Sequence, residues 1–518
     1  MIVNDIKVPV RYTRTELYDA IRKAAGKKKL RISSVQILRR SIDARKKPDL
    51  LYVMKAAVNE PPITAKPCPY TADPSKKTIV VGAGPAGLFA ALTLAEAGAD
   101  VLLLERGKPA AVRMKDVEAF FSTGVLDPES NIQFGEGGAG TFSDGKLNTL
   151  VKDPNGLSFR VLTVFHEAGA PEEVLYDARA HIGTDRLPEI VTRIRERIEK
   201  AGGKVRFSSC VTDFIVENGR VLGVVLKDGE EIRADHVVLA CGHSARDTLE
   251  RLSELHVQLE QKPFAIGVRM EHLQEDITRW EYGSLDYEEL GAAPYKVTAK
   301  AESGRGVYSF CMCPGGQVVN ASSEPGYLCV NGMSDSARSG RNANAGIVVQ
   351  VSPEDYPSDD PLAGILFQRE LERKAFLAAG GKIPVQLYGD FRSGKLSDRF
   401  GEILPDMRGE YAFGNIRDIL PESISEALLQ AIPKFGKMIR GFDRTDSVLS
   451  AVESRTSCPV RIPRNGRGEA SIPGLYPAGE GAGYAGGIVS AAMDGIRAAE
   501  CILRNDAEEA LGNKQESI

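Results

Sequence analysis

The chain contains no CxxC and no CxxxxC pair; its eight cysteines are scattered, and no CxxC meets a second CxxC or an HxxxH. That spacing excludes the common zinc frameworks and the common adjacent redox pairs, and it points to free thiols in a reducing compartment. Six histidines add little metal potential, so no metal site is expected. The first residues, MIVNDIKVPVRYTR, carry charge where a secretion signal needs an apolar stretch. No run of 18 apolar residues occurs, and even LFAALTLAEAGADVLLL is interrupted by Glu96 and Asp100. These absences lead to the expectation of a soluble cytoplasmic protein without a membrane partner.

What is present is length, glycine and uneven charge. The 518 residues exceed what one hydrophobic core organises, so two to four domains of about 100–200 residues each are expected. Many of the 52 glycines cluster in short loops, as they do where a backbone closely approaches a ligand. The net charge is −4, yet residues 1–77 hold 18 Lys/Arg against seven Asp/Glu, leaving the remainder strongly acidic.

Residues 1–58 are expected to form a small basic α+β module: a strand at Asp5–Val10, a helix at Thr15–Ala25 capped by Thr15, a mixed segment at Val35–Ala44 and a strand at Leu50–Val58. Residues 59–77 contain five prolines and are expected as a linker. From Thr78, TIVVGAGPAGLFAALTLAEAGADVLLLERG spells strand, glycine-rich turn, helix and strand. Helices are expected at Gly156–Ala168 and Arg186–Ala201, then strands through 204–240, with Asn218-Gly219 as a hairpin turn. The plan is a dinucleotide-binding domain over 78–254 and again over 441–505, an inserted α+β substrate or cap domain over 255–440, and a polar tail over 506–518.

The turn itself carries chemistry. Gly82 permits the tight exit from the strand, Gly84 lets the backbone approach a pyrophosphate, and Gly87 lets helix and strand pack closely. Pro85 and Ala86 open the helix, whose free N–H groups and dipole favour an anion. Glu105 ends the next strand where an acid is expected to accept hydrogen bonds from ribose hydroxyls, and Arg106 is expected beside the pyrophosphate or adenine.

Near the C-terminus, Leu475-Tyr476-Pro477-Ala478-Gly479-Glu480 followed by Gly486-Gly487-Ile488 resembles the second cofactor segment of glutathione-reductase-type FAD-binding oxidoreductases. Cys241-Gly242 resembles the Ala-Thr-Gly strand end of that class, with Cys241 in place of threonine. The loop with Gly138, Gly140, Thr141, Ser143 and Lys146 resembles its flavin-side loop. Together with Glu-Ser-Arg-Thr-Ser-Cys-Pro-Val at 453–460 and the N-terminal extension, the chain resembles the bacterial FAD-dependent dehydrogenase family. The resemblance implies an α/β fold, a discontinuous Rossmann-type FAD-binding domain, and FAD as cofactor. It implies contacts from Glu480 to the ribityl chain or its phosphate and from Val211 to the cofactor, and it names no substrate. No second GxGxxG with its acid occurs, so reduction would come from a small organic substrate or from NAD(P)H docking transiently.

Position alone nominates His243, Arg455 and Cys458 as catalytic candidates near the flavin. Arg269, Arg338 and Arg341 are expected to be structural or solvated, and Cys311-Met312-Cys313 is expected to serve packing rather than redox chemistry. A hydride-transferring oxidoreductase without a redox cysteine pair is the leading reading. The alternative is a flavoprotein docking RNA or a protein through Lys27, Lys28, Lys29, Arg31, Arg39, Arg40, Arg45, Lys46 and Lys47, although a merely solvated basic face is favoured over docking.

Overall fold

The computed structural model describes residues 1–149 and 151–516, with side-chain environments to Leu511. Its nucleotide-binding core is a five-stranded parallel sheet in the order Leu475–Pro477, His236–Leu239, Lys77–Val81, Asp100–Leu104 and Lys204–Arg206. The near-continuous apolar strands TIVV and VLLL are buried on both faces, as a parallel sheet covered by helices requires. The helix Pro85–Glu96 is apolar all round and fully enclosed from Ala86 to Ala95, packed against the long C-terminal helix Ile488–Glu516. The chain therefore closes its core with elements nearly 400 residues apart.

Two long strand expectations divide. In KVRFSSCVTDFIVE, Ser208 takes φ 52° and breaks the run. Lys204–Arg206 stays in the parallel sheet, while Val211–Glu217 joins Arg220–Leu226 and Glu231–Arg233 in a separate three-stranded sheet. The turn between the first two has Asn218 at φ 51° and Gly219 at φ 74°, the left-handed pair a two-residue hairpin demands.

The inserted region builds a seven-stranded sheet in the order Thr298–Lys300, Gly306–Cys313, Asn342–Val351, Phe264–Leu273, Val448–Glu453, Ile383–Leu387 and Tyr411–Phe413. Strand Val448–Glu453 pairs with Phe264–Leu273 and Ile383–Leu387, so it lies in this sheet and not in the nucleotide-binding core where the sequence plan put it. Its six residues are all buried, and a buried apolar strand carries no local mark of which sheet it enters.

The N-terminal module is a three-stranded antiparallel sheet, Ile2–Pro9, Leu51–Val58 and Val35–Asp43, with the helix Arg14–Ala24. Val35–Asp43 is thus a full strand. The helix cap is Thr13 rather than Thr15: its hydroxyl accepts from the Glu16 N–H and the Glu16 carboxylate accepts from the Thr13 N–H, 2.7 Å away. Val3, Ile6 and Val8 share a hydrophobic cluster with Phe264, Ile266 and Val268 of the inserted sheet, so the module is fused to that core.

Two further expectations are corrected. The proline-rich stretch lies on the nucleotide-binding core, with Cys68, Tyr70 and Ala72 against it and the Ala72 N–H donating to Ala97. The polar tail continues the C-terminal helix through Glu516, and Asp506 is buried against His236 (3.0 Å) and Lys76 (2.6 Å).

A buried ion network joins the parts. Glu372, on the helix Ala363–Ala378, is fully buried and accepts from Arg246 (2.8 and 3.0 Å) and from Arg455 (3.0 and 2.9 Å). The Ser454 hydroxyl adds a bond of 2.7 Å. Burial alone would raise the Glu372 carboxyl; the two guanidiniums outweigh it and hold the group well below the usual carboxylate range. Removing one partner of such a network strands buried charge, at a cost of about 3–5 kcal/mol. Glu372→Ala is therefore expected to destabilise the fold by about that amount in urea unfolding, a loss far beyond the ~1 kcal/mol of a surface pair.

Glu271 is buried without a cationic partner. It accepts from Asn342 Nδ2 and the Asp406 N–H, both at 2.9 Å, and burial pushes its carboxyl up to about 8. Between the unfolded value of about 4.3 and 8 the folded chain holds a proton that the unfolded chain has lost, so stability falls as pH rises through that window. Glu271→Gln removes this ionisation. Its melting temperature relative to the native chain is expected to improve steadily from pH 5 to pH 8, and a constant gap would show that Glu271 ionises normally.

Candidate active site

A cavity of about 380 Å³ opens at the carboxyl ends of the parallel strands and runs from the glycine turn to the wall of the inserted domain. Its nucleotide end is made mostly of backbone. Gly82 (φ 101°) sits so close to strand His236–Leu239 that a Cβ there would lie 2.5 Å from the Ala240 carbonyl oxygen. Gly87 does not line the cavity; it packs helix against turn, where a Cβ would meet the Gly82 carbonyl at 1.7 Å. Gly84 starts the helix with no side-chain cap, so Pro85 and Ala86 begin a first turn facing the cavity.

Glu105 is buried and organises this end. Its carboxylate accepts from the N–H groups of Ala83 (2.7 Å), Gly107 (2.8 Å) and Gly135 (2.9 Å). One carboxylate thus ties the turn to the loop at Gly135, while still bordering the cavity. Arg106 is not free for a pyrophosphate: it donates to Asp247 at 3.1 and 2.7 Å and to Glu129 at 2.8 Å, and stacks 4.4 Å over Phe134.

The loop 131–138 is held by Arg113, which the sequence reading missed. Fully buried, Arg113 donates to the carbonyls of Asn131, Ile132, Glu136 and Gly138 at 2.7–2.9 Å. No motif marks it, because all its partners are main-chain oxygens. Gly138, Gly140, Ser143 and Lys146 line the cavity, as does Val211 beyond them. Thr141 instead points away and donates to the Glu136 carbonyl.

At the other end, Cys241, Gly242, His243, Glu480, Gly486, Gly487 and Ile488 come together. Burial pushes the Cys241 thiol up to about 12, so it stands neutral where the related class has threonine. Gly479 is buried behind the wall, its N–H donating to Asp494 (2.8 Å). The Gly487 N–H is taken by the Ser490 hydroxyl (3.1 Å), while a Cβ at Gly486 would meet open space.

His243 is 3.2 Å from Glu480 through Nδ1, and its buried Nε2 has no hydrogen-bond partner. Glu480 therefore reaches His243, a contact the sequence reading did not foresee. Arg455 lines the cavity but is committed to Glu372, Ser244 (3.1 Å) and Ser323 (2.5 Å). Cys458 is fully buried against the Gly481 carbonyl and outside the cavity lining, with its thiol pushed up to about 12 by burial. The inserted domain supplies Phe310, Cys311 and Asn331 as the opposing wall. Among the residues searched, no cluster of His, Cys, Asp or Glu is placed to hold a metal ion.

Part of the basic N-terminal surface is also committed. Arg40 makes a two-pronged pair with Asp177 (3.0 and 2.8 Å), Arg45 pairs with Asp43, and Lys47 lies 4.1 Å over the Trp280 ring. Lys27, Lys28, Lys29, Arg31, Arg39 and Lys46 stay exposed.

Comparison with known proteins agrees with this geometry. Residues 77–136 match an FAD binding domain, 143–267 a flavin containing amine oxidoreductase, 263–456 an FAD-dependent protein C-terminal domain, and 1–59 a domain of unknown function. An "Uncharacterized protein" of Clostridium beijerinckii is 44% identical, covering 97% of this chain and 98% of its own length. The chain belongs to this family of FAD-dependent oxidoreductases. It is a flavoenzyme with FAD as its cofactor, carried by a Rossmann-type α/β fold. A digeranylgeranylglycerophospholipid reductase of Methanocella arvoryzae is 28% identical over 36% of this chain and 43% of its own. The crystal structure of CtdE in complex with FAD aligns with 86% of this chain and 94% of its own at 13% identity, with a TM-score of 0.32. No described helix is long and apolar enough to cross a membrane.

The tight contact at Gly82 yields a direct test. Gly82→Ala adds a methyl against the Ala240 carbonyl at a left-handed backbone position. FAD retention on gel filtration, read from the flavin absorbance, is expected to fall at least about tenfold, equivalent to 1.4 kcal/mol of binding.

Proposed function

We propose that this flavoenzyme is a dehydrogenase that transfers hydride between a small organic substrate and FAD seated in the cavity between the Gly82 turn and the inserted domain. The observation that carries the reading is the continuity of that cavity. One space borders the turn Gly82–Ala86, Glu105, the helix start at Gly486–Ile488 and the inserted wall at Phe310 and Asn331. The uncapped start at Gly84, the open space at Gly486 and the unpartnered His243 Nε2 fit a ligand that brings phosphates and hydrogen-bonding groups.

In this reading Gly82, Gly84, Pro85, Ala86 and Glu105 hold the nucleotide half, and Gly87 supports them from behind. Gly138, Gly140, Ser143, Lys146, Val211, Cys241, Gly242, Glu480, Gly486, Gly487 and Ile488 border the remainder. When bound, FAD supplies the acceptor for a two-electron hydride transfer.

The chain's own residues supply the proton chemistry. His243 Nδ1 sits 3.2 Å from Glu480, and its unpartnered Nε2 is the nitrogen that takes the proton released as the substrate is oxidised. Glu480, 3.2 Å from Nδ1, positions the ring. Arg455 and Cys458 take no part in the chemistry: one holds the buried network and the other packs beneath Gly481. The inserted wall excludes water and bounds the substrate.

The test is anaerobic stopped-flow reduction of the FAD-loaded protein by NADH, by NADPH and by a panel of small alcohols, amines and hydroxy acids. At least one donor is expected to bleach the flavin, and His243→Gln is expected to slow that step about 10²–10⁴-fold. An unchanged rate would remove His243 from the mechanism.

A further inference from the structure

The strand Gly306–Cys313 loses register against Asn342–Val351 between Phe310 and Cys313, and Cys311 takes φ 42° within that irregularity. A bulge of this kind re-aims side chains at the edge of a site. Here it leaves Cys311 partly exposed on the cavity wall, with Cys313 fully buried behind it. Strand residues two apart are at most about 6.6 Å apart in Cα position, and here the Cys313 sulfur lies 3.3 Å from the Cys311 carbonyl oxygen. A disulfide needs roughly 4.4–6.8 Å.

Two cations bracket the same tripeptide. Arg269 Nη1 lies 3.2 Å from the Cys311 carbonyl oxygen and 3.9 Å from the Cys313 sulfur, and Lys146 donates to the Met312 carbonyl. Cys311 lines the same cavity as His243. We propose that Cys311 and Cys313 form a redox dithiol that exchanges an electron pair with the bound flavin.

The electrostatics set the two thiols apart. A hydrogen bond from the Cys313 thiol, with Lys146 and Arg269 nearby, pushes the Cys311 thiol well below its ordinary value despite burial, while Cys313 keeps its proton. Cys241, Cys329 and Cys458 behave oppositely, each pushed up to about 12 by burial and therefore inert. In the oxidative direction both S–H bonds break and one S–S bond forms. The electron pair and two protons pass to oxidised flavin, which becomes fully reduced; the reverse step restores the dithiol.

This proposal rests on the cavity being the flavin's seat, and its test separates the two. Full-length FAD-loaded protein is oxidised with diamide, quenched in acid, alkylated with N-ethylmaleimide and analysed by peptide mass spectrometry, alongside a dithiothreitol-reduced sample. The peptide from Gly306 to Arg338 is expected to carry one label, on Cys329, after oxidation and three after reduction. Anaerobic dithionite titration of the oxidised protein is then expected to consume about two electrons more per chain than Cys313→Ser requires. Labels on both Cys311 and Cys313 after oxidation overturn the pair, and this measurement needs no variant to fold. A disulfide without the extra electron uptake overturns its exchange with the flavin. A disulfide in protein that retains no FAD overturns the seat instead.

Discussion

Glu372 meets two arginines in the interior, and the geometry of the whole molecule follows from that meeting. Arg246 arrives from the helix Arg246–Glu254 that follows the Cys241-Gly242 strand end, Arg455 from just beyond the strand Val448–Glu453, and Glu372 from the inserted helix Ala363–Ala378. Three buried ions are tolerable only when their hydrogen bonds are nearly complete, because each forfeits its hydration. Gln368 and Ser454 add bonds to the network, and Ser244 and Ser323 accept from Arg455. A shift of the inserted region by one helical position would break several of these bonds together. The network thus specifies the orientation in which the inserted wall faces the cavity.

Glu105 imposes the same kind of constraint at the far end with backbone instead of arginines. Its three N–H donors come from the glycine turn, from the segment just after its own strand and from the loop at Gly135, which Arg113 holds through main-chain carbonyls. The nucleotide end of the cavity is therefore shaped before any ligand arrives, and little ordering remains to oppose binding. The opposite end has the 3.2 Å contact of His243 with Glu480, and leaves an imidazole nitrogen unsatisfied. Rigidity at one end of the cavity is thus set against unmet polar capacity at the other.

The nucleotide end was legible in the sequence because its rules are local. A turn that needs Gly82 at φ 101°, a helix that must start without a side-chain cap and an acid one strand later all fall within about thirty residues. The Asn218-Gly219 hairpin was legible for the same reason. What failed to show were features set by distant partners. Val448–Glu453 reads as a buried strand in either domain, and only its neighbours Phe264–Leu273 and Ile383–Leu387 assign it. Arg113, Arg246 and Glu372 belong to no motif. Arg106 and Arg455 line the cavity as their positions suggested, but sequence does not show the carboxylates that also pair with them.

That difference bears on how one fold can host different reactions. The parts that recognise a dinucleotide are mostly backbone groups, and substitution elsewhere leaves them intact. The far wall of the cavity is built differently: Phe310 and Cys311 lie on the seven-stranded sheet and Asn331 on a separate three-stranded sheet, each in an antiparallel pair. Antiparallel strands tolerate bulges, and a bulge re-aims a side chain while the rest of its ladder survives. The irregularity at Phe310–Cys313 is such a case: the strand pairs from Val307 to Phe310 and again at Cys313, and the ladder breaks only in between, where Cys311 meets the cavity. A change there alters what faces the cavity without disturbing Glu105 or Glu372. The backbone-built end of the cavity and its inserted wall are therefore structurally separable in this architecture.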